Sequence, residues 1–170
     1  NWHARSGTFG GSWHRGNVKR LAALLGMFVD APTGNVTLVF TDIEGSTVLW
    51  ERYGEAFKST LDAHNAIIRQ ALAANHGYEV KTEGDSIYVV FPSASTAVMC
   101  GLALQQKAVE ATTEQPHLPL LMGIGIHAGE AVEVPEGGYI GSAVNLAARV
   151  CAVAGAGEVW VTGTVRGIAR

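Results

Sequence analysis

Apolar residues fall into short blocks along the chain, and the changes of period between blocks outline the expected elements. Leu21, Leu24, Leu25 and Phe28 recur at helical spacing within residues 18–29. That stretch reads either as a helix packed on the domain or as a linker helix to an upstream regulator. Residues 1–17 (NWHARSGTFGGSWHRGN) carry no period and read as an arm, linker or tag remnant. After Pro32-Thr33-Gly34, VTLVFTDI is a β-branched apolar run, expected as a buried strand ending at Asp42. GSTVLWERYG and EAFKSTLDAHNAIIRQALAANHG read as helices, the second with Phe57, Leu61, Ile67, Ile68 and Leu72 on one side and a stop at His76-Gly77. YEVKTEGDSIYVVF reads as two strands joined by a tight Glu-Gly-Asp-Ser turn. A helix over about 93–112 follows, then LLMGIGIH and GEAVEV as a second strand pair folded around His127-Ala128-Gly129. The loop PEGGYIG leads into a helix, SAVNLAARVCAVA, and GEVWVTG is the last expected strand.

This order, β-α-β-β-α-β-β-α-β, predicts an α+β fold. It is a ferredoxin-like βαββαβ palm with additional strands, an antiparallel-dominated sheet flanked by helices; its first six elements form a split βαβ unit with helices on one face. Residues 1–34 are taken as an N-terminal arm and 35–170 as the folded domain. Composition narrows the class. Of 170 residues, 48% are hydrophobic and 16% charged, enough apolar material for a sizeable core, and the formal net charge is −3. No basic footprint for nucleic acid is present. The two cysteines, Cys100 and Cys151, sit in apolar surroundings outside any CxxC pair and read as buried thiols in a reducing compartment. No apolar stretch approaches the roughly 20 residues of a membrane span. The expectation is a cytoplasmic domain that engages no membrane.

Two carboxylates carry the first candidate chemistry. Asp42 ends the first strand and Asp85 sits in the following hairpin turn. In a split βαβ sheet the first strand lies beside that hairpin, so both acids can reach one point. With the carbonyl of Ile43 they make a hard-oxygen site suited to Mg²⁺ or Mn²⁺. Spacing alone is explained as well by two separate solvated turn aspartates. Asn145 and Arg149 are four residues apart on an expected helix and share a face, which alone fits an ordinary solvated helix side.

FTDIEGST at 40–47, KTEGDSIYVVF at 81–91, GIGIHAGE at 123–130 and YIGSAVNLAAR at 139–149 change the picture. In this order and spacing they resemble the catalytic domain of the class III adenylyl and guanylyl cyclases over roughly residues 35–165. The resemblance implies an enzyme that converts ATP to cyclic AMP and pyrophosphate. It implies metal ligation by Asp42, Ile43 and Asp85, with two divalent cations as cofactors, Mg²⁺ or Mn²⁺. The backbone of Glu44, Gly45, Ser46 and Thr47 would cradle the β- and γ-phosphates at a helix start. Asn145 would orient the ribose and Arg149 the α-phosphate as transition-state groups. Lys81 would read adenine, with Ala148 near the same pocket. In that family metal aspartates come from one subunit and the base-reading lysine, Asn and Arg from the other, which implies a head-to-tail homodimer with shared sites.

Two departures qualify the likeness. Adenylyl cyclases place an aspartate, the partner of the lysine, where this chain has Gly138, so one base contact is missing, worth on the order of 1–3 kcal/mol. The family also continues through another hairpin that carries a phosphate-binding lysine; none follows GEVWVTG here, and neither Arg166 nor Arg170 replaces it. The alternatives are a relaxed or guanylyl cyclase, or a weakly active nucleotide-binding regulatory domain.

Overall fold

The computed structural model of the protein describes residues 31–135 and 137–170. The expected helix within 18–29 and the arm lie outside these residues. The elements are β1 (Gly34–Ile43), α1 (Ser46–Tyr53), α2 (Glu55–Ala74), β2 (Tyr78–Glu83), β3 (Ser86–Phe91), α3 (Ala94–Glu114), β4 (Met122–Glu133), β5 (Tyr139–Ile140), α4 (Ser142–Cys151), β6 (Val159–Val161) and α5 (Gly163–Ile168). They form one sheet in the order β2-β3-β1-β4-β5, and β6 also pairs with β4. All pairings are antiparallel except β4 with β6.

Alternation along β1 explains how both faces of the sheet are covered. Val39 and Ile43 point to one side with Ile87, Val89 and Phe91 of β3, where they meet Phe57, Leu61, Ile68 and Leu72 of α2 and Ala97, Cys100 and Leu104 of α3. Val36 and Leu38 point the other way with Val90, onto Ala143 and Ala147 of α4. The helices of the split βαβ unit therefore share one face, and α4 alone occupies the other. Gln105 of α3 ties the two-helix layer to the sheet, its Nε2 donating to the carbonyls of Met122 (2.6 Å) and Glu158 (2.9 Å).

The region around His127 differs from the expected hairpin. β4 runs unbroken from Met122 to Glu133, and His127, Ala128 and Gly129 each oppose a β1 residue (Leu38, Thr37 and Val36). Gly129, which suggested a turn, serves close approach instead, a Cβ there lying 2.8 Å from Ala143 Cβ, and so do the glycines earlier in the strand. A Cβ on Gly125 would lie 2.1 Å from the Cys151 amide nitrogen, and one on Gly123 would lie 2.4 Å from the Ala154 carbonyl. Lacking those atoms, α4 and its exit settle directly on β4. The true antiparallel partner at the end of β4 is the two-residue β5, taken from what reads as loop. α5, a short helix after β6, has no clear signal in its sequence, GTVRGI. The α4 helix ends at Cys151, three residues before its expected end. No helix among the described residues is long and apolar enough to cross a membrane.

Candidate active site

β1 and β3 are neighbours, so the end of one lies against the start of the other, and the Gly84-Asp85 turn is carried to the tip of β1. The two carboxylates expected to converge do so through crossed hydrogen bonds. Ser86 Oγ donates to Asp42 Oδ1 at 2.5 Å, and the Ile43 amide donates to Asp85 Oδ2 at 3.2 Å. Each strand thus orients the other's acid. The second oxygen of each carboxylate is left for another ligand. Asp42 is exposed and Asp85 half-buried, so the rim is open to solvent. Ile43 itself is 1% exposed, its side chain anchored in the core beneath the rim. Ser86 was not singled out from the sequence; the register Glu83↔Ser86 in a two-residue turn is the signal that locates it.

The donors gathered here are all oxygen: two carboxylates and, between them in sequence, the Ile43 carbonyl. That set fits a small hard cation such as Mg²⁺ or Mn²⁺, which takes one or two carboxylates and fills its sphere with phosphate oxygens and water. No cluster of three or more His, Cys, Asp or Glu suited to a metal occurs among the described residues. Asp42 is also felt at the far end of α4, where its charge adds to burial in raising the Cys151 thiol to about 11.

The segment after Asp42 opens α1 as expected. Gly45 is its N-cap in a left-handed conformation (φ 71°), with no side chain capping the first turn. Leu49 N–H to the Gly45 carbonyl begins the helical ladder, so the amides of Ser46 and Thr47 stand outside it. Glu44 is the exception among the four residues: its N–H is bonded to the Leu121 carbonyl at 3.1 Å.

The remaining candidates lie on the α4 face of the sheet. Asn145 and Arg149 are exposed on α4, whose Ala143, Ala147 and Cys151 face inward, and Ala148 is half-buried beside them. Arg149 is in none of the three ion pairs among the described residues. Neither residue is brought against Asp42 or Asp85, whose hydrogen-bond partners are Ser86 and Ile43. Lys81 stands on β2 opposite Tyr88, and its Nζ meets Glu83 Oε1 at 2.5 Å. Lys81, Glu83, Ser86, Phe40 and Tyr88 line a shallow hollow of about 110 Å³, with the Phe40 and Tyr88 rings stacked 4.3 Å apart. Gly138, in the turn before β5, comes back across this face toward β2: a Cβ there would lie 3.9 Å from Val80. Its φ of +115° suits glycine and few other residues. His127 is buried, with Nδ1 2.9 Å from Thr162 Oγ1.

Comparison with known proteins adds the family context. The sequence profile described as "Adenylate and Guanylate cyclase catalytic domain" matches residues 28–170. The adenylate cyclase of Lachancea kluyveri is 38% identical over 153 residues, 75% of this chain but 8% of that protein, so the chain spans under a tenth of this fungal relative. Among solved structures, an adenylate cyclase of Trypanosoma brucei in its monomeric state superimposes with a TM-score of 0.70 at 28% identity, covering 80% of this chain and 76% of that one. The adenylyl cyclase CyaB of P. aeruginosa has a TM-score of 0.72 at 24% identity over 79% of each chain, a likeness of fold.

Proposed function

This chain belongs to the adenylate and guanylate cyclase catalytic-domain family, and from that premise we propose that it is an adenylyl cyclase that converts ATP to cyclic AMP and pyrophosphate in a head-to-tail homodimer. The carrying observation is the crossed pair of bonds that holds Asp42 and Asp85, 43 positions apart in sequence, at one rim. In the reaction the ribose 3′-oxygen bonds to the α-phosphorus as the bond from that phosphorus to the pyrophosphate oxygen breaks, and the 3′ proton passes to water. Divalent cations bound by Asp42, Asp85 and the Ile43 carbonyl would acidify the 3′-hydroxyl and offset charge on the triphosphate. The chain's own part is to fix those carboxylates and to offer the Ser46 and Thr47 amides, with Gly45, to the phosphates. Lys81 reads the base beside Gly138 and Ala148, Asn145 orients the ribose, and Arg149 places a fixed positive charge where the α-phosphate gains negative charge. Asn145 and Arg149 stand exposed and make no bond to the acids, and the second copy supplies them. The bare Gly138 favours a second reading, a cyclase that also accepts GTP.

Incubation with ATP or GTP and Mn²⁺ or Mg²⁺ at several protein concentrations, with Asp42→Ala as control, tests this. Cyclic AMP that rises faster than linearly with protein and vanishes in the variant is expected. No cyclic product from either nucleotide, with ATP still bound, replaces the enzyme by a nucleotide-binding regulatory domain.

A further inference from the structure

The hollow beside Lys81 holds a carboxylate with no role so far. Glu83 lies two residues from Lys81 on β2, so both side chains leave the same face of the sheet, and Glu83 Oε1 is already in contact with Lys81 Nζ. Both are well exposed, 70% and 62% respectively, so neither charge is locked in the core. One carboxylate oxygen rests on the lysine and the other is free; two of the three ammonium protons are free as well. The pair therefore presents one acceptor and one donor side by side over the same hollow, against the stacked Phe40 and Tyr88 rings. Gly138, whose nearest neighbour is Val80 just before Lys81, adds no side chain, and its φ of +115° would strain an acidic residue placed there.

We propose that Glu83 is a specificity-determining residue: it accepts a hydrogen bond from the 6-amino group of adenine while Lys81 donates to the adjacent ring nitrogen N1. The inference rests on the reading of Lys81 as base contact. The Watson–Crick edge of adenine carries a donor at position 6 beside an acceptor at position 1, which the pair matches in order. Guanine carries an acceptor at 6 and a donor at 1, the reverse order, and a fixed purine then meets like against like. Lys81 is held toward the base by the same carboxylate that completes the reading, so the ion pair is part of the recognition surface.

The test combines removal of the carboxylate with removal of the amino group. Wild type, Glu83→Ala and Glu83→Gln are assayed with ATP, with purine riboside triphosphate (which lacks the 6-amino group) and with GTP, for cyclisation and for binding by calorimetry. The expected loss is about tenfold in kcat/KM when either partner is deleted, carried mainly by KM. Deleting both should lose no more than deleting one, and the preference for ATP over GTP should fall by about the same tenfold. Equal losses by Glu83→Ala on ATP and on the analogue would mean that Glu83 only steadies Lys81, and would overturn the proposal. So would unchanged kinetics, or a greater loss with GTP than with ATP. If cyclic AMP forms but the losses add, this inference fails and the cyclase reading stands. If ATP binds with the non-additive pattern but is not cyclised, the reverse holds. Protein that neither binds nor cyclises any of the three overturns both.

Discussion

The carboxylate rim and helix α4 face solvent from the same sheet, yet they are built in opposite ways. At the rim, Asp42 and Asp85 each have a partner inside the chain, Ser86 and the Ile43 amide, and Ile43 roots the pair in the core. On α4, the inward side is tightly seated on β4 through Gly123 and Gly125, but Asn145 and Arg149 are exposed and have no partner at the rim. A site half prearranged and half presented outward is one a single chain leaves unfinished, and the unfinished half is carried on a rigid element. Rigidity matters because a guanidinium must meet its phosphate in one direction, and a helix pressed onto a strand supplies that at little entropic cost.

Mixing is the strongest way to break this contrast. Asp42→Ala and Arg149→Ala should each lower cyclic AMP formation by on the order of 10²-fold or more. Random pairing of the two dead variants leaves one intact site in half of the dimers, so an equal mixture should recover about a quarter of wild-type activity. No recovery would show that both residues serve one chain's own site. A change beneath α4 should come next in size. Gly125→Ala drives a methyl into the Cys151 backbone, and a cost of about 3 kcal/mol is expected, lowering the melting temperature by roughly 5–10 °C. Because the rim is held by β1 and β3, Mn²⁺ binding by electron paramagnetic resonance should survive this substitution at temperatures where the protein stays folded, while turnover falls. Equal loss of both would deny the independence of the two halves.

The smallest effect serves as a control on the face remote from both. His64 of α2 is 4% exposed, its Nε2 has no hydrogen-bond partner, and burial holds its pKa below the usual value. The fold therefore favours neutral imidazole, and the unfolded chain binds more protons below its ordinary pKa of about 6.5. Stability from this group is full above that pH and is lost as pH falls toward the folded-state value. Thermal melts from pH 8 to 5 should show a decline in stability from His64 that His64→Gln abolishes. His127, also lowered by burial, adds the same sign and leaves part of the slope in place.

Much of the rim was legible in the chain. The run VTLVFTDI announces a strand and the EGDS turn a hairpin, and their pairing needs only the common split βαβ order. The error at His127-Ala128-Gly129 has a physical cause. Glycine marks turns and close approaches alike, and only the presence of α4 above β4 tells the two apart. Ser86 and Glu83 escaped notice for a related reason. A serine and a glutamate in a hairpin are ordinary in sequence, and their meaning comes from what stands opposite: Asp42 in one case, Lys81 in the other.

What the sequence determined by itself is the set of local decisions: period, turn chemistry, the acids at a strand end and a turn, and the four motifs of the cyclase family. Those depend on near neighbours and on residue type. The tertiary structure alone decided which acid each strand orients, that β4 passes straight through its glycines, and that Gly138 returns beside Val80 of β2. Such choices arise from contacts between residues dozens of positions apart, where burial and hydrogen bonding across strands outweigh any local preference.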